Sequence, residues 1–211
     1  MKITRSKTTP ARQARTSAIS LALGALFIGG SMSAAAAPFQ FDMAVSAAAA
    51  TCLPNAQGHV TVRTVGTNQN QRMQVRVNGL PPRTEFALFV LQTPTGPFGM
   101  SWYQGDIVTD DTGSGSQQFF GIFSRELFVF APATRAAPQT DPGVDAVTNP
   151  VTAPVHTYHL GLWFSDAADA AAAGCPATVT PFEGDHTAGI QVLNTSNFGT
   201  EAADGPLGQF E

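Results

Sequence analysis

The sequence predicts an all-β protein, an antiparallel β-sandwich with one short helix and one long loop. Three observations lead there. Short stretches alternate apolar and polar residues, turn-forming clusters separate them, and only one stretch has the start and stop signals of a helix. The 211 residues are 43% hydrophobic and 12% charged. That is enough apolar mass for a core, with about half the usual charge.

The first segment reads as an address rather than as part of the fold. Residues 1–17 hold Lys2, Arg5, Lys7, Arg12 and Arg15 and no acid. A short apolar run, Ala18 to Gly30, follows, then small residues through Ala37. This order is that of a secretory signal peptide, and the run is short for a membrane span. Ala34 and Ala36 fit the small-x-small cleavage rule, so residues 1–36 are expected to be removed. Residues 37–211 are expected to form one domain. They carry six arginines, no lysine and all fifteen acids, a formal charge of −9. Without clustered cations along the sequence, nucleic acid is an unsuitable partner. No later stretch is apolar enough to span a bilayer.

Phe39, Phe41, Met43 and Val45 alternate with polar or small residues and predict the first strand. Val60 and Val62 predict the second, and Met73, Val75 and Val77 the third. Gly66 to Asn70 supplies the turn between those two. Phe86 to Gln92 is almost continuously apolar, as in a strand buried on both faces. Trp102 to Val108, Gln117 to Phe123 and Leu127 to Phe130 predict three more strands. Residues 131–155 are rich in proline and alanine, hold no aromatic residue and show no period. They predict a long loop insertion. The period of two resumes with Tyr158, Leu160, Leu162 and Phe164.

Ala167 to Ala173 predicts the helix, with Asp166 as its cap and Gly174 as its stop. Thr178 to Thr180 and Gly189 to Leu193 predict the last strands, and the chain from Asn197 is expected to fray. Cys52 and Cys175 are the only cysteines. In an exported chain they are expected to form one disulfide, stabilising by about 4–5 kcal/mol.

Val75 to Val90 reads VRVNGLPPRTEFALFV. It resembles the strand–corner–strand segment of fibronectin type III and related immunoglobulin-like domains, where a Gly-Leu-x-Pro corner precedes Thr-x-aromatic and an apolar strand. Gly105 to Gly115, GDIVTDDTGSG, resembles hairpins of secreted bacterial sandwich proteins. The resemblance implies an immunoglobulin-like sandwich in which Leu80 plugs the core. It also implies binding or spacing rather than catalysis, and brings no catalytic residue with it.

The chemistry-bearing residues give three further candidates. His156 and His159 have an HxxH spacing, which on a strand points the two rings to opposite faces. His159 with Asp185 and His186 makes a candidate metal set, since imidazole and carboxylate suit zinc or copper. Asp106, Asp110 and Asp111 could offer oxygens to calcium, but their spacing suits a turn better. Trp102 and Tyr103, beside Gly99, form a candidate platform for stacking on sugars, and Trp163 a second aromatic site.

Glu85, Glu126, Asp166 and Glu183 could pair for glycoside hydrolysis only if the fold set them at the right separation. No nucleophile elbow, HExxH or P-loop motif is present. The expected role is therefore that of an exported, non-catalytic binding or structural protein of the envelope, periplasm or extracellular space, needing no cofactor. An extracellular protein or a glycan would be its partner. The two rivals are a metal-binding protein or metal-dependent enzyme using His159, Asp185 and His186, and a carbohydrate-binding module using Trp102 and Tyr103.

Overall fold

Strand β1, Phe39–Val45, has two partners, and that double pairing organises the sheet. Phe39 to Met43 pairs with β2, Gln57–Val65, while Ala44 and Val45 pair with β10, Gln191–Asn194. The computed structural model describes residues 37–67, 69–125, 127–130, 152–180 and 185–210, with side chains described only outside 127–130 and 152–154. The expected signal segment, most of the expected loop, Glu126 and Glu183 lie outside these residues.

The remaining strands are β3 (Asn70–Asn78), β4 (Glu85–Leu91), β5 (Ser101–Val108), β6 (Gly115–Gly121), β7 (Leu127–Phe130), β8 (Thr152–Val155) and β9 (His159–Phe164). Eight strands make one antiparallel sheet in the order β5-β4-β9-β10-β1-β2-β3-β6, and β7 pairs with β8 apart from it. The all-β, antiparallel expectation holds. The sheet curls until its end strands, β5 and β6, lie side by side, so it nearly closes into a barrel. At Gly105 of β5 a Cβ would lie 2.9 Å from the ring of Phe119 on β6. Only a residue without a side chain allows the two strands this approach.

Alternation explains the core. Phe41, Val60, Val62, Met73, Val75 and Val77 from one half meet Phe86, Leu88, Val90, Leu160, Leu162 and Phe164 from the other in a single apolar cluster. The partners of these residues along β2 and β3 point outward and are mostly polar. β4 is buried on both faces, as its unbroken apolar run requires. Its second face, with Ala87, Phe89 and Leu91, packs with Trp163 and Phe98 in a smaller cluster. Leu80 is buried in the main core at the corner before β4.

The helix, α1, spans Ala167–Ala172. Asp166 caps it by accepting from the Ala168 amide at 2.7 Å, and Gly174 follows at φ 76°, the left-handed turn that ends a helix. Cys175 is bonded to Cys52, with a Cα–Cα distance of 5.2 Å. The expected disulfide is present and ties the end of α1 to the turn after β1.

Three expectations are corrected. Thr152–Val155, placed in the loop by composition, forms β8 against β7. Thr178 to Thr180 is not a strand; Thr180 makes one backbone bond, to the Ala188 carbonyl at 2.7 Å. The tail does not fray. Short 3-10 turns at Ser196–Phe198, Ala202–Asp204 and Pro206–Gln209 fold it back, and Leu207 is fully buried. Its anchor is Tyr158, whose carbonyl accepts from the Leu207 amide at 3.1 Å.

Candidate binding surface

His159 begins β9 and is fully buried. Its Nε2 donates to the Glu201 carbonyl at 2.9 Å. A carbonyl only accepts, so Nε2 holds the proton and Nδ1 accepts from the Thr195 hydroxyl at 2.9 Å. Burial pushes the pKa of His159 down, against the Glu201 bond and the charge of Asp204. Both ring nitrogens are thus occupied in holding the tail to β9. Asp185 and His186 sit exposed on the chain before β10. The three residues are not brought together, and among the described residues no group of three His, Cys, Asp or Glu could hold a metal. His159 is a core histidine satisfied from both sides, and the candidate metal set is not assembled among the described residues.

The calcium candidates are also otherwise engaged. Asp110 accepts from the Thr112 and Ser114 amides at 2.8 and 3.1 Å and from the Thr112 hydroxyl at 2.6 Å. These bonds hold its carboxyl below the usual range. Asp111 pairs with Arg83 at 2.9 Å and Asp106 accepts from the Tyr103 hydroxyl. The cluster is a turn built by its own side chains.

Trp102 and Tyr103 are neighbours on β5 and so face opposite ways. Trp102 packs, half-buried, against the main core. Tyr103 is 46% exposed and its ring meets Phe89 edge-on at 5.8 Å. They form no common platform. Trp163 is 1% exposed, enclosed by Phe89 and Phe98 at centroid distances of 5.4 and 5.1 Å. The expected second aromatic site at Trp163 is therefore interior. The loop from Gln92 to Met100 covers it, fastened by Gln191 Nε2 donating to the Pro94 carbonyl at 3.0 Å. A groove of about 420 Å³ opens between this loop and Ala47, Ala48 and Pro176. Its polar floor is already paired internally, Asn194 Nδ2 donating to Gln191 Oε1 at 2.9 Å.

The open face of β1, β2, β3 and β6 is different. Strand register places its outward side chains in three rows. One row is Asp42, His59, Arg76 and Ser116. The next is Gln40, Thr61, Gln74 and Gln118, with Thr61 covered by its neighbours. The third sets Arg63 directly opposite Arg72, and Arg72 opposite Phe120. Asp42 is the only acid among the outward residues of these four strands, and it pairs with His59 at 2.7 Å. Among the described residues the acids near the arginines are engaged in a His59–Asp42 hydrogen bond and an Arg83–Asp111 ion pair. None engages Arg63, Arg72 or Arg76.

Half of the arginines beyond residue 36 thus share one face of a chain segment whose formal charge is −9. Like charges directly opposite across two strands destabilise a sheet, so folding alone does not favour the Arg63–Arg72 pair. Phe120 beside it is 67% exposed.

This face escapes a reading of sequence spacing. The alternation of RMQVRV sends Arg72 and Arg76 outward, and that much is visible along the chain. Only the register of β2 on β3 brings Arg63 to Arg72, and only β6 adds Phe120.

Comparison with protein-family models, curated proteins and solved structures returns no match to this chain.

Proposed function

We propose that this chain is an exported, immunoglobulin-like β-sandwich protein that binds a partner outside the cytoplasm and has no catalytic role. The observation behind the binding role is the Arg63–Arg72 pair. Two like charges held opposite each other, on an open face and without a carboxylate partner among the described residues, are stabilised once an anionic partner bridges them.

Export is supported by the basic and apolar order of residues 1–36 and by the Cys52–Cys175 bond, which persists in oxidising compartments. No helix among the described residues is long and apolar enough to cross a membrane. The immunoglobulin-like assignment is supported by the Leu80 corner, buried in the core before β4, and by the apolar cluster that the two halves of the curled sheet share.

The test is an array of glycans, lipids and peptides probed with the wild type and with an Arg63→Gln/Arg72→Gln/Arg76→Gln variant. A ligand whose capture is weakened by the substitutions supports the reading. Ligands captured equally well by both proteins would move binding away from this face. Recovery of the protein from the cytoplasm with both thiols free would overturn the export.

A further inference from the structure

We infer that the arginine face of β1, β2, β3 and β6 binds a linear anionic polysaccharide, one bearing carboxylate or sulfate groups at intervals along a chain of neutral sugars. The inference rests on the binding role assigned above and names the partner of that surface.

The arrangement of charges argues for a polymer with spaced anions. Arg63 and Arg72 lie opposite each other, and Arg76 lies four residues further along β3, about 13 Å away at the rise of an extended strand. Gln74 and Gln118 occupy the row between, side by side across β3 and β6. The face therefore presents a cationic pair, a band of neutral amides and a third cation, Arg76, in the row whose one acid, Asp42, is bonded to His59. A densely charged phosphate backbone would leave the amides facing charge and calls for more cations than three. A polysaccharide places hydroxyls between its acidic groups, and amides donate to and accept from hydroxyls.

Guanidinium is the suited cation here. It forms two parallel bonds to a carboxylate or sulfate, and its fork fixes the direction of approach. Phe120 ends the Arg63–Arg72 row and offers an open ring to the C–H face of a sugar. Aromatic rings flanked by polar groups suit ligands that are part apolar and part wet.

The rest of the molecule selects against a planar anionic surface. A bilayer approaches a whole side of the protein and would meet Asp110, which lines a common hollow with Arg76. A single polymer chain needs only the strip of arginines, and acids on other faces are screened at about 8–10 Å in ordinary salt.

The experiment titrates the purified protein with four probes: polygalacturonate, neutral dextran, polyglutamate, and vesicles of phosphatidylglycerol and phosphatidylcholine. Wild type is expected to bind polygalacturonate, weakening as salt rises, and to ignore dextran. The Arg63→Gln/Arg72→Gln/Arg76→Gln variant is expected to lose about tenfold in affinity, the scale of three exposed charge contacts together. An Arg63→Lys/Arg72→Lys/Arg76→Lys variant keeps the charge and is expected to bind at intermediate strength. Phe120→Ala is expected to weaken polygalacturonate binding without creating any for polyglutamate. An unfolding curve for each variant establishes that it is folded.

Equal binding of dextran, or undiminished binding by the Gln variant, overturns the inference. Arginine-dependent binding of polyglutamate or vesicles but not of polygalacturonate also overturns it, while leaving this face as the binding surface. Failure to bind any of the four overturns the polysaccharide assignment, and the wider array then decides the binding role.

Discussion

Replacing both cysteines, as Cys52→Ala/Cys175→Ala, tests what joins the two ends of this fold. The bond closes a loop with a sequence separation of 123. In the chain-entropy treatment, closing a loop of that length removes about 16 cal/mol/K from the unfolded ensemble, or about 5 kcal/mol at 25 °C. The packing lost with the sulfurs is smaller, since Cys175 is nearly buried but Cys52 only partly so. The entropic part therefore dominates, and it is comparable to the whole stability of an ordinary domain, about 5–15 kcal/mol.

Urea unfolding is the assay. Trp163, enclosed by Phe89 and Phe98, reports the loss of packing by fluorescence. The midpoint is expected to fall by at least about a third of its wild-type value. The slope is expected to rise, because an uncrosslinked unfolded chain exposes more surface. A loss below about 1 kcal/mol would refute the reasoning, since removing a native disulfide ordinarily costs about 2–5 kcal/mol.

Other perturbations separate other parts of the argument. The ordinary pKa of histidine is 6.5 and the buried His159 sits below it. Below about pH 6.5 the unfolded chain therefore takes up a proton that the folded chain refuses. Stability is expected to be full above that pH and to fall as the pH drops toward the folded pKa; urea midpoints for the wild type against His159→Gln check it, and equal pH slopes would contradict it. Arg63→Thr removes a like-charge pair and is expected to stabilise by about 0.2–1 kcal/mol in a thermal melt; a loss of stability would mean that Arg63 is held by contacts that help the fold. Gly113 has φ 77°, and a Cβ there would lie 2.0 Å from the Leu80 carbonyl oxygen. Gly113→Ala is expected to cost more than about 1 kcal/mol, and an unchanged melt would show that the β5–β6 turn yields freely.

Local chemistry was readable where neighbours in sequence decide it. The alternation of Met73, Val75 and Val77 needs only the geometry of one strand. The Asp166 cap and the Gly174 stop lie within one short stretch. The apolar run of β4 announces a strand covered on both faces, and it is. Contacts made across the chain were not readable. Nothing near His159 shows that the Glu201 carbonyl, 42 residues on, will take its proton. The tail reads as frayed because its residues are polar and small, and those same small residues let it settle against Tyr158. A Cβ at Gly208 would come within 2.4 Å of the Tyr158 ring. The candidate surface divides in the same way: facing is written in the alternation of β3, but pairing is written in the register between strands.

The double pairing of β1 sets an order of events. Its first half needs β2, which follows at once, but Ala44 and Val45 need Asn194 and Leu193. The sheet therefore cannot be joined across β1 until nearly the whole chain has emerged. A ribosome or a secretion channel releases β1 early and its second partner almost last. In the interval the short edge of β1 stays open, and topologies built on such distant pairings fold slowly. Under the export proposed above, a chain that crosses a membrane as an extended thread gains from that delay. The chain cannot lock before its far end has arrived.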